Sequence, residues 1–183
     1  MGGKSKKQNK KERIADFEAV VTEYQEALLR YATRLVWCQD AAQDTVQNVF
    51  IKLYKSSDVE LLPSPRLSSW LYRVTHNCAV DYIRKESRRR NLHKKQAEEQ
   101  VDHVAPDRGE GFKVSEKALK AKNALEHLSE REQQLVILKI YEEKSYREIS
   151  DITGLTTGNV GYILHHAMKK MAQELKRAKS DER

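Results

Sequence analysis

Between Ser145 and Lys170 the chain carries side chains suited to reading the edges of nucleic-acid bases. Asn159 could bond an adenine edge, and Tyr162 could meet a thymine methyl or a phosphate. Thr157, His165, His166 and Lys169 are offered on the same predicted face, with Lys169 and Lys170 suited to the backbone. The residues that must position them are structural punctuation. Ser145 can cap a helix, with Glu148 three residues on as its capping-box partner. Ile149 and Ile152 give that helix an apolar side, and Ser150 is small enough for two helices to cross closely. Gly154 stands where the helix must stop with a positive φ. Leu155 plugs the turn, and Thr156 or Thr157 can cap the next helix. Val160, Leu164, Ala167, Met168, Met171 and Leu175 then recur at helical spacing. The pattern predicts a helix-turn-helix, which places its second helix in a DNA major groove.

Composition is consistent with that partner. The 183 residues include 34 Lys plus Arg against 27 Asp plus Glu, a formal net charge of +7. Such a chain favours a polyanion through counterion release. Seven glycines, three prolines and no recurring alternation predict a nearly all-helical protein. No apolar run is long enough to span a bilayer and no secretory segment is legible, so no membrane insertion is expected. Cys38 and Cys78 each sit among apolar residues on predicted helices, and reduced core thiols suit a cytoplasmic protein. The six histidines show no metal spacing, and no cofactor is expected. No glycine-rich phosphate loop or nucleophile-plus-base pair appears, so the chain does not read as an enzyme.

Residues 1–13 form a lysine-rich tail with almost nothing apolar to bury, expected to be disordered. Residues 14–90 read as one helical domain. Phe17, Val20, Val21, Tyr24, Leu28, Tyr31 and Leu35 line its first helix. Asp40, with Gln43, is expected to cap a second helix whose buried side is Val46, Val49, Phe50 and Leu53. Asp44, Gln47 and Asn48 face elsewhere. Ser56 to Ser69, with Pro63 and Pro65, reads as a loop. A third helix from about Leu67 to Arg90 has Leu71, Val74, Cys78 and Tyr82 on one side and Arg73, Asn77, Asp81, Arg84 and Arg88 on another. Residues 91–115 read as a flexible linker and 116–177 as a second helical domain, with a further Ser129–Glu132 capping box; 178–183 are a short tail.

The segments DAAQDTVQNVFIKLYKS and LSSWLYRVTHNCAVDYIRKESRRR, separated by the proline-containing loop, resemble region two of bacterial sigma factors. The segment ALEHLSEREQQLVILKIYEEKSYREISDITGLTTGNVGYILHHAMKKM resembles region four. The most specific pieces are Asp44-x-x-Gln47 followed by Val49-Phe50, and Trp70-Leu71-Tyr72-Arg73 with Asn77 and Asp81. Two such regions joined directly resemble the extracytoplasmic-function group of the sigma-70 family. The resemblance covers roughly residues 17 to 176.

This resemblance implies an all-α fold of two small helical domains, a region-two bundle and a region-four helix-turn-helix. It implies an alternative sigma factor that binds the core of bacterial RNA polymerase, recognises promoter DNA and melts the −10 element. Core binding would use a coiled-coil of the largest subunit, docked on Asp44, Gln47 and Asn48. Members of the family usually carry Glu where this chain has Asn48. The −10 element would meet Trp70, Tyr72, Arg73, Asn77, Asp81, Arg84 and Arg88. Aromatic faces there can stack on an unpaired base, and Asn77 has both donor and acceptor groups for a base edge. Trp70 beside Leu71 also fits core packing. Region four would read the −35 element through Thr157, Asn159, Tyr162, His165, His166 and Lys169, and bind the flap of the second-largest subunit. Here Gly161, Tyr162 and Ile163 replace the basic residue, serine and arginine common in the family, so no −35 preference carries over. Gly161 could allow close approach to DNA or simply be tolerated. An anti-sigma factor is a possible further partner, and the protein would join the nucleoid within holoenzyme. The main alternative is a regulator similar to the LuxR-type helix-turn-helix proteins, acting without polymerase. Residues 40–90 separate the two, because such a regulator needs neither of their helices.

Overall fold

The computed structural model describes residues 3–56, 59–97 and 123–180. The chain divides into two compact units, Met1–Ala105 and Pro106–Arg183. All regular structure among the described residues is helical.

The first unit contains α1 (Gly3–Val36), α2 (Gln39–Lys55) and α3 (Pro65–Ala97), each packed against the other two. Val20, Leu28, Tyr31 and Leu35 from α1 meet Val46, Val49, Phe50 and Leu53 from α2 and Leu67, Leu71 and Ala79 from α3 in one core. Burial of each large side chain contributes about 1.5–3 kcal/mol. Tyr31 reaches across to α3, where its hydroxyl lies 2.9 Å from Nδ1 of buried His76. The hydrogen bond lets two polar groups enter an otherwise apolar centre.

Several local expectations need correcting. The basic leader is helical from Gly3, not disordered. Lys, Gln, Glu and Arg are good helix formers, and extending an existing helix avoids the cost of nucleation. Arg13 ties this part of α1 to the end of α2, donating from Nη2 to the Ser56 carbonyl at 2.7 Å. Asp40 does not cap α2. Cys38 occupies the cap position with no side-chain bond, and Asp40 sits in the first turn, where its charge favours the helix dipole. Cys38 is therefore exposed, outside the core, while Cys78 is half-buried with its sulfur 3.2 Å from Lys52 Nζ. The loop before α3 is shorter than its prolines suggested. Pro65 opens the helix, where a missing N–H costs nothing. Ser64 caps it by accepting from the Leu67 N–H at 3.1 Å. At its other end α3 continues to Ala97, past the expected start of the linker at 91.

The second unit contains a helical turn at 123–126, then α4 (Glu130–Val136), running into a wider π-helical turn (Ile137–Tyr141), then α5 (Tyr146–Thr153) and α6 (Thr157–Ser180). Leu125, Leu128, Leu135, Ile137, Leu138, Ile149, Ile152, Val160, Leu164 and Ala167 form its core. Both expected capping boxes are present, Ser129 with Glu132 and Ser145 with Glu148. Met168 and Leu175, expected on the buried face of α6, are exposed. Met168 turns about 80° away from Val160 at 3.6 residues per turn. Leu175 lies toward the far end of a 24-residue helix whose partners α4 and α5 have only 7 and 8 residues.

Candidate nucleic-acid and polymerase interfaces

Three exposed faces contain the candidate residues. The first lies along α1 and α2. Asp44, Gln47 and Asn48 are all exposed. Asp44 and Gln47 line a groove of about 690 Å³ whose floor and walls include Phe17, Val21, Leu29, Phe50, Ile51 and Tyr54. Phe17 meets Phe50 and Tyr54 edge-on, with centroids 6.4 and 5.4 Å apart. Asn48 is not among the lining residues, so the departure from the family pattern falls beside the groove. Ile51 and Tyr54 were missed in the sequence, although both are about half exposed. Their signal was phase: they follow Gln47 by four and seven residues and so lie on the polar side of α2. An apolar trough edged by an acid and amides suits a partner helix that presents apolar and basic groups.

The second face runs along α3. Arg73, Asn77, Asp81, Arg84 and Arg88 are exposed, and 100° per residue places all five within about 40° of Asn77. Arg66, exposed and also on this stripe, was overlooked; it precedes Arg73 by seven residues and Asn77 by eleven. Arg88 lies back along the helix, with its Nε donating to the Arg84 carbonyl at 3.3 Å. Trp70 is half-buried, compatible with packing and with a partly available ring. Tyr72 does not belong to this face. It is 5% exposed, with its ring 5.3 Å from that of Tyr31. It lies nearly half a turn from Arg73's neighbours on the stripe, so packing against α1 claims it and no face remains for a base.

The third face is the outward side of α6. The turn before it forms as its residue types require. Gly154 has φ +73°, Ser150 Oγ donates to the Leu155 carbonyl at 2.5 Å, and Thr156 Oγ1 accepts from the Asn159 N–H at 3.3 Å. Thr156 rather than Thr157 is therefore the cap. Thr157, Asn159, Tyr162, His165, His166 and Lys169 are all exposed. Asn159, Tyr162, His165, His166 and Lys169 fall within about 60° of Tyr162, whereas Thr157 in the first turn points well away. The Tyr162 ring is 67% exposed and tilts against His166 at 4.4 Å, with His165 5.6 Å from His166. The face offers amide, phenol and imidazole groups with one lysine, a set able to bond base edges and meet thymine methyls. Lys170 is engaged elsewhere. Its Nζ donates to Oε1 of buried Glu132 on α4 at 2.7 Å.

Gly161 lies on the flank toward α5, half-buried beside Tyr146, rather than on the outward face. A Cβ there would stand 3.4 Å from Tyr146 Cε2, an ordinary contact. Gly161→Ala is therefore expected to stabilise the chain by about 0.5–1 kcal/mol through helix propensity. Urea denaturation measures it; a loss of stability would show that the ring cannot accommodate the methyl.

Among the described residues, no cluster of three or more His, Cys, Asp or Glu could hold a metal. No described helix is long and apolar enough to cross a membrane.

Comparison with known proteins identifies the two units. Residues 20–89 match the family model for sigma-70 region 2, and residues 118–171 match that for sigma-70 region 4. The chain is 28% identical over 156 residues to the RNA polymerase sigma factor SigV of Bacillus subtilis, covering 85% of this chain and 88% of that protein. It is 29% identical over 163 residues to the RNA polymerase sigma-E factor of Streptomyces coelicolor, covering 88% and 87%. In fold it resembles the sigma factor RpoE bound to the anti-sigma factor NepR from Bartonella quintana, with TM-score 0.62, 21% identity and coverage of 88% and 97%. It also resembles CnrH in complex with the cytosolic domain of CnrY, with TM-score 0.60, 18% identity and 88% coverage of each chain.

Proposed function

The chain belongs to the extracytoplasmic-function group of the sigma-70 family, and from that premise we propose how its three faces serve transcription initiation. It is an alternative sigma factor, which binds core RNA polymerase and promoter DNA. The observation that carries the function is the presence of both regions in one chain, in family order. A LuxR-like regulator is not favoured, because the region 2 match occupies residues 20–89, which such a protein does not need.

In this proposal the rim residues Asp44 and Gln47 engage the coiled-coil of the largest polymerase subunit, with the groove beneath them taking apolar side chains. Asn48 contributes at the margin. The α3 stripe serves the −10 element: Asn77 bonds an extruded base, Trp70 offers ring surface, and Arg73, Arg84 and Arg88 hold phosphates. Extruding a base costs a few kcal/mol that such contacts must offset. The α6 face reads the −35 element through Asn159, Tyr162, His165 and His166, with Lys169 at the backbone and Thr157 at the entry of the helix. The second unit also meets the flap of the second-largest subunit. The protein works in the cytoplasm, needs no cofactor and catalyses nothing itself. That one similar solved structure is a sigma factor in complex with an anti-sigma factor supports an anti-sigma partner.

The test is transcription in vitro with sigma-free core polymerase on fragmented genomic DNA, with start sites mapped. Starts sharing a two-part upstream motif are expected. Duplex binding without any transcript would return the case to a polymerase-independent regulator. Within this assay, Asn77→Ala should slow open-complex formation about tenfold, because a lost base contact is worth about 1–3 kcal/mol. Affinity for closed duplex should hardly change. Permanganate reactivity of the −10 thymines reads the difference, and unchanged opening would remove Asn77 from the melting site.

A further inference from the structure

We propose that His165 and His166 make the −35 reader proton-dependent: duplex DNA recruits protons to the imidazole pair, and mild acidity tightens recognition. The proposal rests on the role of α6 given above. It adds the charge state in which the outward face works.

That face is poor in fixed charge. From Thr157 to Gln173 the helix has no Asp, Glu or Arg, and its lysines there are Lys169 and Lys170. Lys170 is spent on Glu132, which leaves Lys169 as the permanent cation of the outward face. Histidine is the side chain whose ordinary charge change falls between about pH 5 and 8. Protonating His165 and His166 would add two positive charges to that one. The two rings are also coupled. His166 lies one turn from Tyr162, with centroids 4.4 Å apart and planes tilted by 57°, and His165 stands 5.6 Å from His166. Two imidazoles at that separation repel once both are charged, so they gain protons as a pair rather than independently.

Packed against α6 are α4, with Glu130, Arg131 and Glu132, and α5, with Tyr146, Arg147, Glu148 and Asp151. Glu132 is bonded to Ser129 and Lys170, and Glu148 to Ser145. His127, just before α4, faces Glu174 farther along α6 at 3.9 Å. Among the described residues, the contacts of the two rings are with Tyr162 and with each other. Duplex DNA supplies what the free face lacks. A neutral imidazole offers one N–H donor and an imidazolium two. The major groove presents guanine N7 and O6 as acceptors, and phosphates border it. An acceptor that takes an N–H from a protonated ring favours that form, and phosphate charge offsets the repulsion between the pair. DNA binding therefore takes up protons, and by reciprocity added protons tighten DNA.

The experiment uses holoenzyme made from core polymerase and the full chain, with a short duplex bearing the −35 element mapped as above. Fluorescence anisotropy at constant ionic strength gives the affinity from pH 7.5 to 6.0. This range stays clear of Glu132 and Glu148, both held below 4.5. Wild-type affinity should rise about tenfold across it, with close to one proton taken up. H165Q/H166Q, which keeps polar groups that do not titrate, should change less than about twofold, and a circular-dichroism melt checks its fold. Buried His76 is present in both proteins and cannot separate them. Calorimetry of the wild type in two buffers of different ionisation heat counts the protons without any substitution. A duplex with the −35 element scrambled should abolish the wild-type response. The proposal is overturned by a flat wild-type profile, by zero proton uptake, by a response retained in H165Q/H166Q, or by an equal response on the scrambled duplex. Failure of the wild type to initiate at any promoter would appear before this test, and would strike the sigma reading itself.

Discussion

Changing Asp44 to arginine will weaken binding to core polymerase at least about 30-fold, while the chain melts at nearly its original temperature. The asymmetry follows from where Asp44 sits. Its side chain is exposed on the rim of the α1–α2 groove, and the buried face of α2 carries Val46, Val49, Phe50 and Leu53 instead. Surface changes away from packing and networks usually shift stability by no more than about 0.5 kcal/mol. At an interface the same change counts twice: it removes an acid that pairs with a basic partner and introduces a like charge. Losing one partner of a desolvated charge pair costs about 2–5 kcal/mol, and the lower value already gives the 30-fold change. Fluorescence titration against core polymerase and a circular-dichroism melt test both halves. Undiminished affinity would move the docking surface away from the groove; a collapsed melt would make Asp44 a folding residue.

Glu132→Ala should destabilise the second unit by about 1–2 kcal/mol, leaving the first unit unaffected. Glu132 is buried at 8% exposure. Its Oε2 accepts from the Ser129 N–H and hydroxyl, each at 2.9 Å, and its Oε1 takes the Lys170 ammonium. One carboxylate thus closes the start of α4 and ties it to α6. Removing it forfeits the capping interaction, typically about 1 kcal/mol, and the pair with Lys170, whose half-exposed ammonium returns to water so that its loss adds no more than about 1 kcal/mol. Burial alone would raise the Glu132 pKa, but hydrogen bonds from Lys170 and Ser129 prevail and hold it below the ordinary 4.5. Glu148 is also held below 4.5, chiefly by the Ser145 hydroxyl and N–H. A depressed carboxyl stabilises the fold above its unfolded pKa and loses that contribution as pH falls through the folded value. The second unit should therefore loosen as pH drops below about 4.5, with Glu132 contributing more than the better-solvated Glu148. Hydrogen exchange of residues 130–136 and 164–171 in the full chain, from pH 7 down to 3, reads this directly. A wild-type acid response retained in Glu132→Ala would assign it to other carboxyls.

The helix-turn-helix was legible because every position in it has a local cause. Ser145, Glu148, Gly154 and Thr156 act on backbone groups within a few residues of themselves, and sequence records such effects directly. The stripes of α1, α2 and α3 were legible for the same reason. What depended on distant neighbours was less so. Tyr72 and Trp70 stand in one motif, yet α1 buries the first and leaves the second half-exposed, a result decided by Tyr31 some forty residues earlier. The Tyr31–His76 bond and the Lys170–Glu132 pair likewise join different helices. The polar rim of the α1–α2 groove could be read from α2 alone, but its apolar floor could not, because Phe17, Val21 and Leu29 arrive from another element. Cys38 was misplaced by a boundary error of a few residues, the usual weakness of a periodicity argument.

The division into two units has a consequence for synthesis. Every helix of the docking groove and of the α3 stripe belongs to Met1–Ala105. A small helical bundle closes in microseconds to milliseconds once its chain is available. At about 5–20 residues per second, a ribosome still needs several seconds to make Pro106–Arg183. The nascent protein thus completes the unit that holds the proposed polymerase-docking face before the proposed −35 reader exists, and the order in which the two units appear is written into the direction of translation.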